Sequence, residues 1–314
     1  MNAFLPTFEA VATLLVIGLI GFWMVNRKLV KENFFSLLSP LALEVALPAL
    51  VFVNIIENFN PVERSHWWKL PLWWLIFVSI SFCVVLIGML VSRKEYRREF
   101  ALTLFYQNGL FFPLAVITGI FGADSGYTVD LFILMIFYPA FFFNTYHFFF
   151  RRGGTKLKWR KIFHPVFIMT VLGIIIRLTG IHDCIPGFFL SGLESVGGMA
   201  VPLLMLILGG NMLIDFNRIR KINPAEVLKF ISFKNILIPA VVLLFLYWIR
   251  PDFNVALILM LEAAVPPVTA APLLTGREGG NRAIVNQYMV GSFVFSLFSI
   301  PFFIFLLGKL YPLF

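Results

Sequence analysis

The chain has little charge for its length. Of its 314 residues, 13% are charged and 60% are hydrophobic, whereas about 25% of a soluble protein is charged. Several apolar runs exceed the ~18 residues at which a membrane helix becomes the default interpretation. The two cysteines, Cys83 and Cys184, lie far apart without metal-ligand spacing, so they indicate neither a disulfide framework nor a zinc site. The composition excludes an ordinary soluble domain and indicates an integral membrane protein.

The chain also lacks the motifs of common enzymes. It has no Gly-x4-Gly-Lys-Ser/Thr loop, so ATP is not indicated as its energy source. It has no Gly-x-Ser-x-Gly elbow, the motif that carries the nucleophilic serine of α/β-hydrolases. We therefore predict that the protein is not an enzyme and that it holds no metal or organic cofactor.

The positions of the basic residues predict how the chain is oriented in the membrane. The net charge is +9, but the 25 Lys and Arg residues lie in short segments between apolar runs rather than in a patch for nucleic acid. Twenty fall on one side, which is predicted to be cytoplasmic. The other side has only five, namely Arg64, Lys69, Arg177, Arg250 and Lys309. We expect a multi-pass protein of the cell (inner or plasma) membrane with both termini extracytoplasmic.

The apolar runs divide the chain into ten predicted transmembrane helices, so the predicted fold class is an all-α membrane protein. The predicted spans are residues 8–25, 34–56, 70–92, 100–121, 129–150, 165–181, 190–214, 231–250, 254–275 and 283–311. No Lys or Arg is expected near the middle of any span, since Lys234 is assigned to the cytoplasmic boundary. Residues 1–150 form a first five-helix repeat, 151–164 a cytoplasmic connector that contacts membrane lipid, and 165–314 a second repeat.

Two proline-interrupted spans occupy equivalent places in the two halves. The first interruption is at residues 107–113 (QNGLFFP) and the second at 261–267 (LEAAVPP). An offset of 154 residues carries Pro113 onto Pro267. Paired interruptions of this kind are the best pointer in a sequence to the binding site of a transporter.

The same offset relates a third feature, because it carries residues 46–50 (ALPAL) onto 200–204 (AVPLL). A constant offset across unlike features indicates that the halves are homologous. Each half has an odd number of spans, so the second half would enter the membrane from the opposite side. The sequence thus predicts two inverted repeats with broken, crossing helices four and nine.

Each interruption is expected to start a new half-helix, near Pro113 and near Pro266 and Pro267. Proline inside a helix costs about 3 kcal/mol, and in lipid such a break persists only where protein or water satisfies the backbone. Two helix N-termini that face each other present free amides suited to an anion. Two mild kinks are the alternative. The predicted substrate-binding residues are Asn108, Gly109, Pro113, Asn144, Val265, Pro266 and Pro267.

Two carboxylates are candidates for ion coupling. Glu262 lies one turn before Pro266 near mid-membrane, where a carboxylate must be protonated, paired or bound to a cation. It could carry a proton or ligate sodium. Glu44 lies one turn before Pro48 and could join the same site or satisfy backbone groups freed by that proline. Asn144 could line the cavity or form a hydrogen bond between helices.

With these residues in view, the chain resembles the auxin efflux carrier family in its prokaryotic form. The motifs that carry the resemblance are residues 43–52, 200–209 and 261–267. The resemblance implies a scaffold of spans one, two, six and seven, often dimeric, and a transport domain of spans three to five and eight to ten. It places the substrate where spans four and nine cross, and it implies a homodimer.

The resemblance also implies the substrate class, which is organic anions: indole-3-acetate in plants, and malate or malonate in bacteria. Many relatives have a second glycine before the proline of span four, where this chain has residues 110–112 (LFF). These bulky walls favour a less polar anion. The predicted function is secondary transport of a carboxylate by alternating access, with an elevator-type motion. A sodium-coupled symporter of the bile-acid type and a non-transporting carboxylate sensor are the alternatives.

Overall fold

The structure is a computed structural model that describes residues 4–31, 34–64, 66–122, 125–150, 163–216 and 222–311. This part of the chain is helical, and its one β-type contact is an isolated antiparallel bridge between Gln107 and Pro267. The predicted all-α class is confirmed. Of the predicted connector, residues 151–162 lie outside the described part.

The helices follow the apolar runs closely. Those of the first half are α1 (Phe4–Asn26), α2 (Phe34–Pro40), α3 (Leu47–Asn58), α4 (Leu70–Val91), α5 (Arg97–Phe105), α6 (Phe111–Phe121), α7 (Gly126–Leu134) and α8 (Tyr138–Thr145). Those of the second half are α9 (Pro165–Thr179), α10 (Gly187–Gly197), α11 (Ala200–Phe216), α12 (Pro224–Ile231), α13 (Ile238–Ile249), α14 (Phe253–Ala264), α15 (Ala271–Arg277) and α16 (Arg282–Leu310). The π-helical turns Leu41–Ala46 and Ser232–Leu237 join α2 to α3 and α12 to α13.

Seven helical segments of the described residues are long and apolar enough to cross a membrane. They are Phe4–Asn26, Leu37–Asn58, Trp67–Val91, Gly126–Phe149, Gly187–Ile214, Pro224–Ile249 and Arg282–Leu310. The apolar helices α6, α9 and α14 are shorter, at 10–17 residues. Two of these three, α6 and α14, belong to the interrupted segments, because the break shortens each continuous helix. A span count of ten remains a prediction.

The outer surface of the molecule is apolar, and polar side chains are turned inward. Leu72, Leu86 and Leu90 on α4 are all about half exposed or more, as expected for side chains that face lipid. In contrast, Glu262 and Asn235 are fully buried within apolar helices. This inverted distribution is typical of a membrane protein, where intramembrane polar groups face the bundle interior.

Small residues allow two helices of the bundle interior to pack closely. A Cβ atom at Gly209 on α11 would overlap the backbone of Gly18 on α1, and these two helices pack along their lengths. Close approach of backbones at glycine is a general way to join membrane helices. Helix α3 packs in the same manner on α10, where a Cβ at Gly197 would lie 2.7 Å from the Cα of Leu50.

A separate group of helices, α4, α7, α13 and α16, surrounds α14. All ten residues from Val255 to Ala264 on this helix are buried, and it contacts α16, α13, α7 and α4. Both interrupted segments run through this part of the molecule, so the breaks lie in its interior.

Candidate functional site

The two interruptions lie side by side. Helix α5 stops at Phe105 and α14 stops at Ala264, and the chain after each is extended. The amide of Asn108 donates a hydrogen bond to the carbonyl of Pro266 (2.9 Å), and the amide of Val268 donates one to the carbonyl of Tyr106 (2.9 Å). These reciprocal bonds satisfy backbone groups that the breaks would otherwise leave unpaired in a dry interior.

Pro113 lies inside the helix that follows the first break, whereas Pro266 and Pro267 lie in the extended stretch of the second break. Helix α6 begins at Phe111, so Pro113 is its third residue and not its first. Helix α15 begins at Ala271, after the extended stretch that holds Pro266 and Pro267. Proline disfavours helical geometry in the residue before it, which extends the backbone ahead of Pro266 and delays the restart. The first new helix therefore starts near Pro113, as predicted, and the second starts about one turn after Pro267.

Several amides beyond the crossing are free to bind a ligand. Within the described residues, the N–H groups of Gly109, Leu110, Thr269 and Ala270 make no hydrogen bond to the protein. They lie at the starts of α6 and α15, where a helix carries roughly half a positive charge. Unpaired amides at two adjacent helix starts are suited to bind a carboxylate.

Glu262 reaches the first interruption from the second. Its Oε2 accepts a hydrogen bond from the side-chain amide of Gln107 (3.2 Å), and its Oε1 has no partner among the described groups. A Cβ atom at Gly109 would overlap this carboxylate and the methyl group of Met135. Glycine at this position therefore lets the carboxylate approach the backbone of the opposite break.

Tyr138 holds the crossing from the side. It is the first residue of α8, and its hydroxyl donates to the carbonyl of Gln107. The ring of Phe142 lies one turn further along, with its centroid 4.9 Å from that of Tyr106. These aromatic side chains form one wall of the site.

Lys234 lies inside the protein, contrary to the prediction of no Lys or Arg near mid-depth. It is 1% exposed and stands on the π-helical turn Ser232–Leu237. The span that carries it begins at Pro224, earlier than predicted. At about 1.5 Å per residue, this puts Lys234 about 15 Å into the helix, near the middle of a bilayer about 30 Å thick. Lys234 is therefore a buried cation and not a cytoplasmic one.

Some of the predicted site residues lie at the crossing of the two breaks, and others lie away from it. Asn108 is 2% exposed and lines a cavity beside the crossing, with its Nδ2 unpaired among the described groups. Val265 is buried in the second break. Asn144 points back along α8, where its Nδ2 donates to the carbonyl of Ala140 (2.9 Å), and it does not line this cavity. Glu44 is exposed on its π-helical turn and does not line it either.

The cavity has a volume of about 460 Å³. Its polar end lies at the crossing and includes Gln107, Asn108, Gly109 and Thr269. Its walls are mostly apolar and include Leu43, Leu47, Phe111, Phe142, Leu204 and Met205. The shape thus combines a small hydrogen-bonding end with a large apolar body, as small-molecule sites commonly do.

The other end of the cavity carries positive charge. Arg277 and Arg282 line it, together with His164. Burial lowers the pKa of the His164 imidazole, and the nearby Glu44 carboxylate opposes this effect. His164 is therefore mostly neutral at pH 7, and the positive charge at this end comes from the arginines.

A second cavity, also of about 460 Å³, lies near the loop that precedes α4 and the start of α14. Here Arg64 forms an ion pair with Asp130 and donates to the carbonyl of Gly126 (2.8 Å). Asn254 donates to the other oxygen of Asp130 (2.9 Å). This cluster ties the loop after α3 to α7 and α14 on the side predicted to be extracytoplasmic.

Sequence reasoning missed three residues that the structure brings to the site. Gln107 was recognised only as the first residue of the interruption, Tyr138 was not considered, and Lys234 was assigned to the cytoplasmic boundary. The Tyr138-Pro139 pair marks the start of α8, but which backbone its hydroxyl meets depends on packing. Lys234 stands in an apolar helical pattern (FISFKNIL), which could have signalled that it lies inside the span.

Comparison with known families and relatives agrees with this architecture. A family model described as "membrane transport protein" matches residues 6–158 and 149–304. The chain is 24% identical over 310 residues to an uncharacterized transporter of Methanothermobacter thermautotrophicus, covering 95% of this chain and 97% of that protein. It is 26% identical over 214 residues to an uncharacterized transporter of Methanocaldococcus jannaschii, covering 64% of this chain and 67% of that protein.

Proposed function

Because this chain belongs to the membrane transport protein family of the auxin efflux carriers, we propose that it is a secondary transporter that moves an organic anion by alternating access. The observation that carries this proposal is the pairing of the two broken helices, Asn108 to Pro266, at the polar end of a cavity. Broken membrane helices with unpaired amides are costly in lipid, and binding of a ligand at the break explains why they are kept.

The substrate is a carboxylate with an apolar body. The free amides at Gly109, Leu110, Thr269 and Ala270 suit one carboxylate group, and the side-chain amide of Asn108 adds a donor. The rest of the cavity is walled by aliphatic and aromatic side chains, which would leave a second carboxylate without partners. A buried, unpaired charge is strongly unfavourable. The site therefore favours an aromatic or aliphatic monocarboxylate over malate or malonate.

The two groups of helices correspond to the two parts of an elevator. In this proposal, α1, α2, α3, α9, α10 and α11 form the scaffold, and the remaining helices form the moving transport domain. Close glycine contacts within the first group, such as Gly18 with Gly209, support a rigid scaffold. The chain would then cross the membrane ten times as inverted repeats, with both termini outside, and the scaffold would form a homodimer.

The structure's two cavities suit one end state of such a cycle. The cavity at the crossing reaches the end lined by Arg277, which is predicted to be cytoplasmic. On the other side, Arg64, Asp130 and Asn254 are bonded to one another. Opening toward the outside would require that this cluster separate while the transport domain moves. Glu262 would couple this motion to a proton or a sodium ion.

The proposal is tested with purified protein in sealed liposomes. We expect uptake of radiolabelled phenylacetate that exceeds uptake of malonate, and that is abolished by Asn108→Ala. Binding of phenylacetate without flux in tight vesicles would favour the sensor alternative. Replacement of the sodium gradient by choline, with flux lost, would favour the symporter of the bile-acid type.

A further inference from the structure

The peptide group between Gln107 and Asn108 is held at both of its polar ends. Its N–H belongs to Asn108 and donates to the carbonyl of Pro266 (2.9 Å), and its carbonyl belongs to Gln107 and accepts a hydrogen bond from the hydroxyl of Tyr138. A trans peptide group is planar and points its carbonyl and its amide in opposite directions. One bond from each side therefore fixes how the whole plane is rotated.

Tyr138 is the donor on which this carbonyl depends. Gln107 lies between α5 and α6, outside any helix, and within the described residues no backbone amide donates to its carbonyl. Tyr138 is 6% exposed, and its ring lies nearly parallel to that of Phe142, with an interplanar angle of 15° and centroids 6.2 Å apart. Because the ring is buried and packed, its hydroxyl is a firm anchor for a segment that has no helix of its own.

The orientation of this peptide group decides which polar groups of the first break reach the cavity. Asn108 follows it directly, and within the described residues its side-chain Nδ2 and the amide of Gly109 are unpaired. Both residues line the polar end of the cavity. These two groups are hydrogen-bond donors, as a carboxylate requires. The Gln107 carbonyl is an acceptor that would repel a carboxylate, but Tyr138 engages it.

The cavity is also where this carbonyl would turn if it lost its donor. Tyr138 itself lines the cavity, whereas the opposite side of the peptide group is occupied by the carbonyl of Pro266. An unpaired carbonyl in a buried place is costly, so the peptide group would rotate toward the polar end of the cavity. This rotation moves the N–H away from Pro266 and brings an acceptor beside the ligand's carboxylate.

We propose that Tyr138 is a positioning residue that sets the selectivity of the site for a carboxylate over a neutral amide of the same shape. Its hydroxyl acts through the Gln107 carbonyl and holds this acceptor away from the bound ligand. This inference rests on the proposed function for the identity of the ligand. The positioning role itself is testable in the ligand-free protein.

Tyr138→Phe removes the hydroxyl and keeps the ring that packs on Phe142. Tyr311→Phe is the matched control, because its hydroxyl also donates to a backbone carbonyl, that of Pro251 (2.8 Å), and neither residue lines the cavity at the crossing. Each variant loses one bond from a tyrosine to a carbonyl, so we expect both to lose a similar, small amount of Tm. Stability therefore does not distinguish the two variants, and two local measurements do.

The first measurement is hydrogen exchange in the ligand-free protein, followed by NMR on isotope-labelled asparagine and valine. In Tyr138→Phe the Asn108 amide should exchange at least about tenfold faster, because its bond to Pro266 opens. The Val268 amide, which donates to the carbonyl of Tyr106 (2.9 Å) in a different peptide group, should keep its wild-type rate. Unchanged exchange at Asn108, or equal acceleration at both amides, would overturn the positioning role.

The second measurement compares phenylacetate with its neutral isostere phenylacetamide by isothermal titration calorimetry. Loss of the hydroxyl should weaken phenylacetate binding and favour phenylacetamide, whose amide group can donate to the rotated carbonyl. In Tyr138→Phe the ratio of the two Kd values should shift toward phenylacetamide by about tenfold or more, the factor that one hydrogen bond to a charged group contributes. Tyr311→Phe should keep the wild-type ratio. An unchanged ratio in Tyr138→Phe, or the same shift in both variants, contradicts the proposal.

The wild type gives an independent check. Its Asn108 and Val268 amides should be protected to a similar degree, and a freely exchanging Asn108 amide would contradict the anchoring from both sides without any variant. If the wild type binds neither ligand while the exchange rates respond as expected, the positioning role of Tyr138 stands and the proposed substrate class alone is wrong.

Discussion

Replacement of Asn108 by alanine separates a ligand-binding residue from a structural one. The side-chain amide of Asn108 faces the cavity and has no partner among the described groups. Its backbone amide, which alanine retains, makes the bond to Pro266 that holds the crossing. The substitution therefore removes no side-chain hydrogen bond that the structure shows, and the free energy of unfolding should change by less than about 1 kcal/mol.

The effect on binding should be much larger. A hydrogen bond from this amide to a carboxylate is charge-assisted and contributes about 1.5–3 kcal/mol. Since about 1.4 kcal/mol corresponds to a factor of ten, Asn108→Ala should weaken phenylacetate binding by about 10- to 150-fold. Isothermal titration calorimetry on the detergent-purified protein measures this Kd, and differential scanning fluorimetry measures the Tm of the same sample.

Asn144→Ala is the matched control. It is also a buried asparagine, but its amide donates to the carbonyl of Ala140 on its own helix and does not line the cavity. This variant should lose about 0.5–1.5 kcal/mol of stability and bind phenylacetate as the wild type does. The reasoning is refuted if Asn144→Ala weakens binding and Asn108→Ala does not, or if Asn108→Ala loses Tm and affinity in parallel.

Three further substitutions test the crossing and the opposite face. Gly109→Ala places a Cβ against the Glu262 carboxylate, so we expect at least about 2 kcal/mol of destabilisation from overpacking, measured as a loss of Tm. Glu262→Gln removes the carboxylate that is proposed to couple transport to an ion, and it should abolish the pH dependence of uptake into liposomes. Arg64→Gln breaks the ion pair with Asp130, so hydrogen exchange across Gly126–Leu134 should accelerate by roughly tenfold.

Each of these has its own control. Gly187→Ala adds a Cβ in open space and should leave the Tm unchanged; an equal loss there would remove the argument from Gly109. Uptake by Glu262→Gln with a wild-type pH profile would show that coupling resides elsewhere. Exposed Lys309→Gln, on the side that is also predicted to be extracytoplasmic, is the reference for Arg64→Gln, and equal exchange in both would mean that the Arg64 cluster does not hold α7.

Much of the architecture follows from local chemistry, and the sequence was sufficient for it. Low charge and long apolar runs require helices in lipid, because only a helix satisfies its own backbone there. Pro266 and Pro267 lack amide hydrogens, so an interruption at that point was determined irrespective of what surrounds it. The family was likewise readable, since the motifs around Glu44, Glu262 and the prolines are short and contiguous.

Which residues of distant segments contact one another was decided only by the tertiary structure. That Asn108 bonds to Pro266, or that Glu262 reaches Gly109, depends on two distant segments meeting at one register, which no local pattern encodes. Lys234 shows the reason most directly. A lysine at the edge of an apolar run satisfies the positive-inside rule, and only the earlier start of its helix and the packing of its π-helical turn on α14 show that Lys234 is buried within the protein.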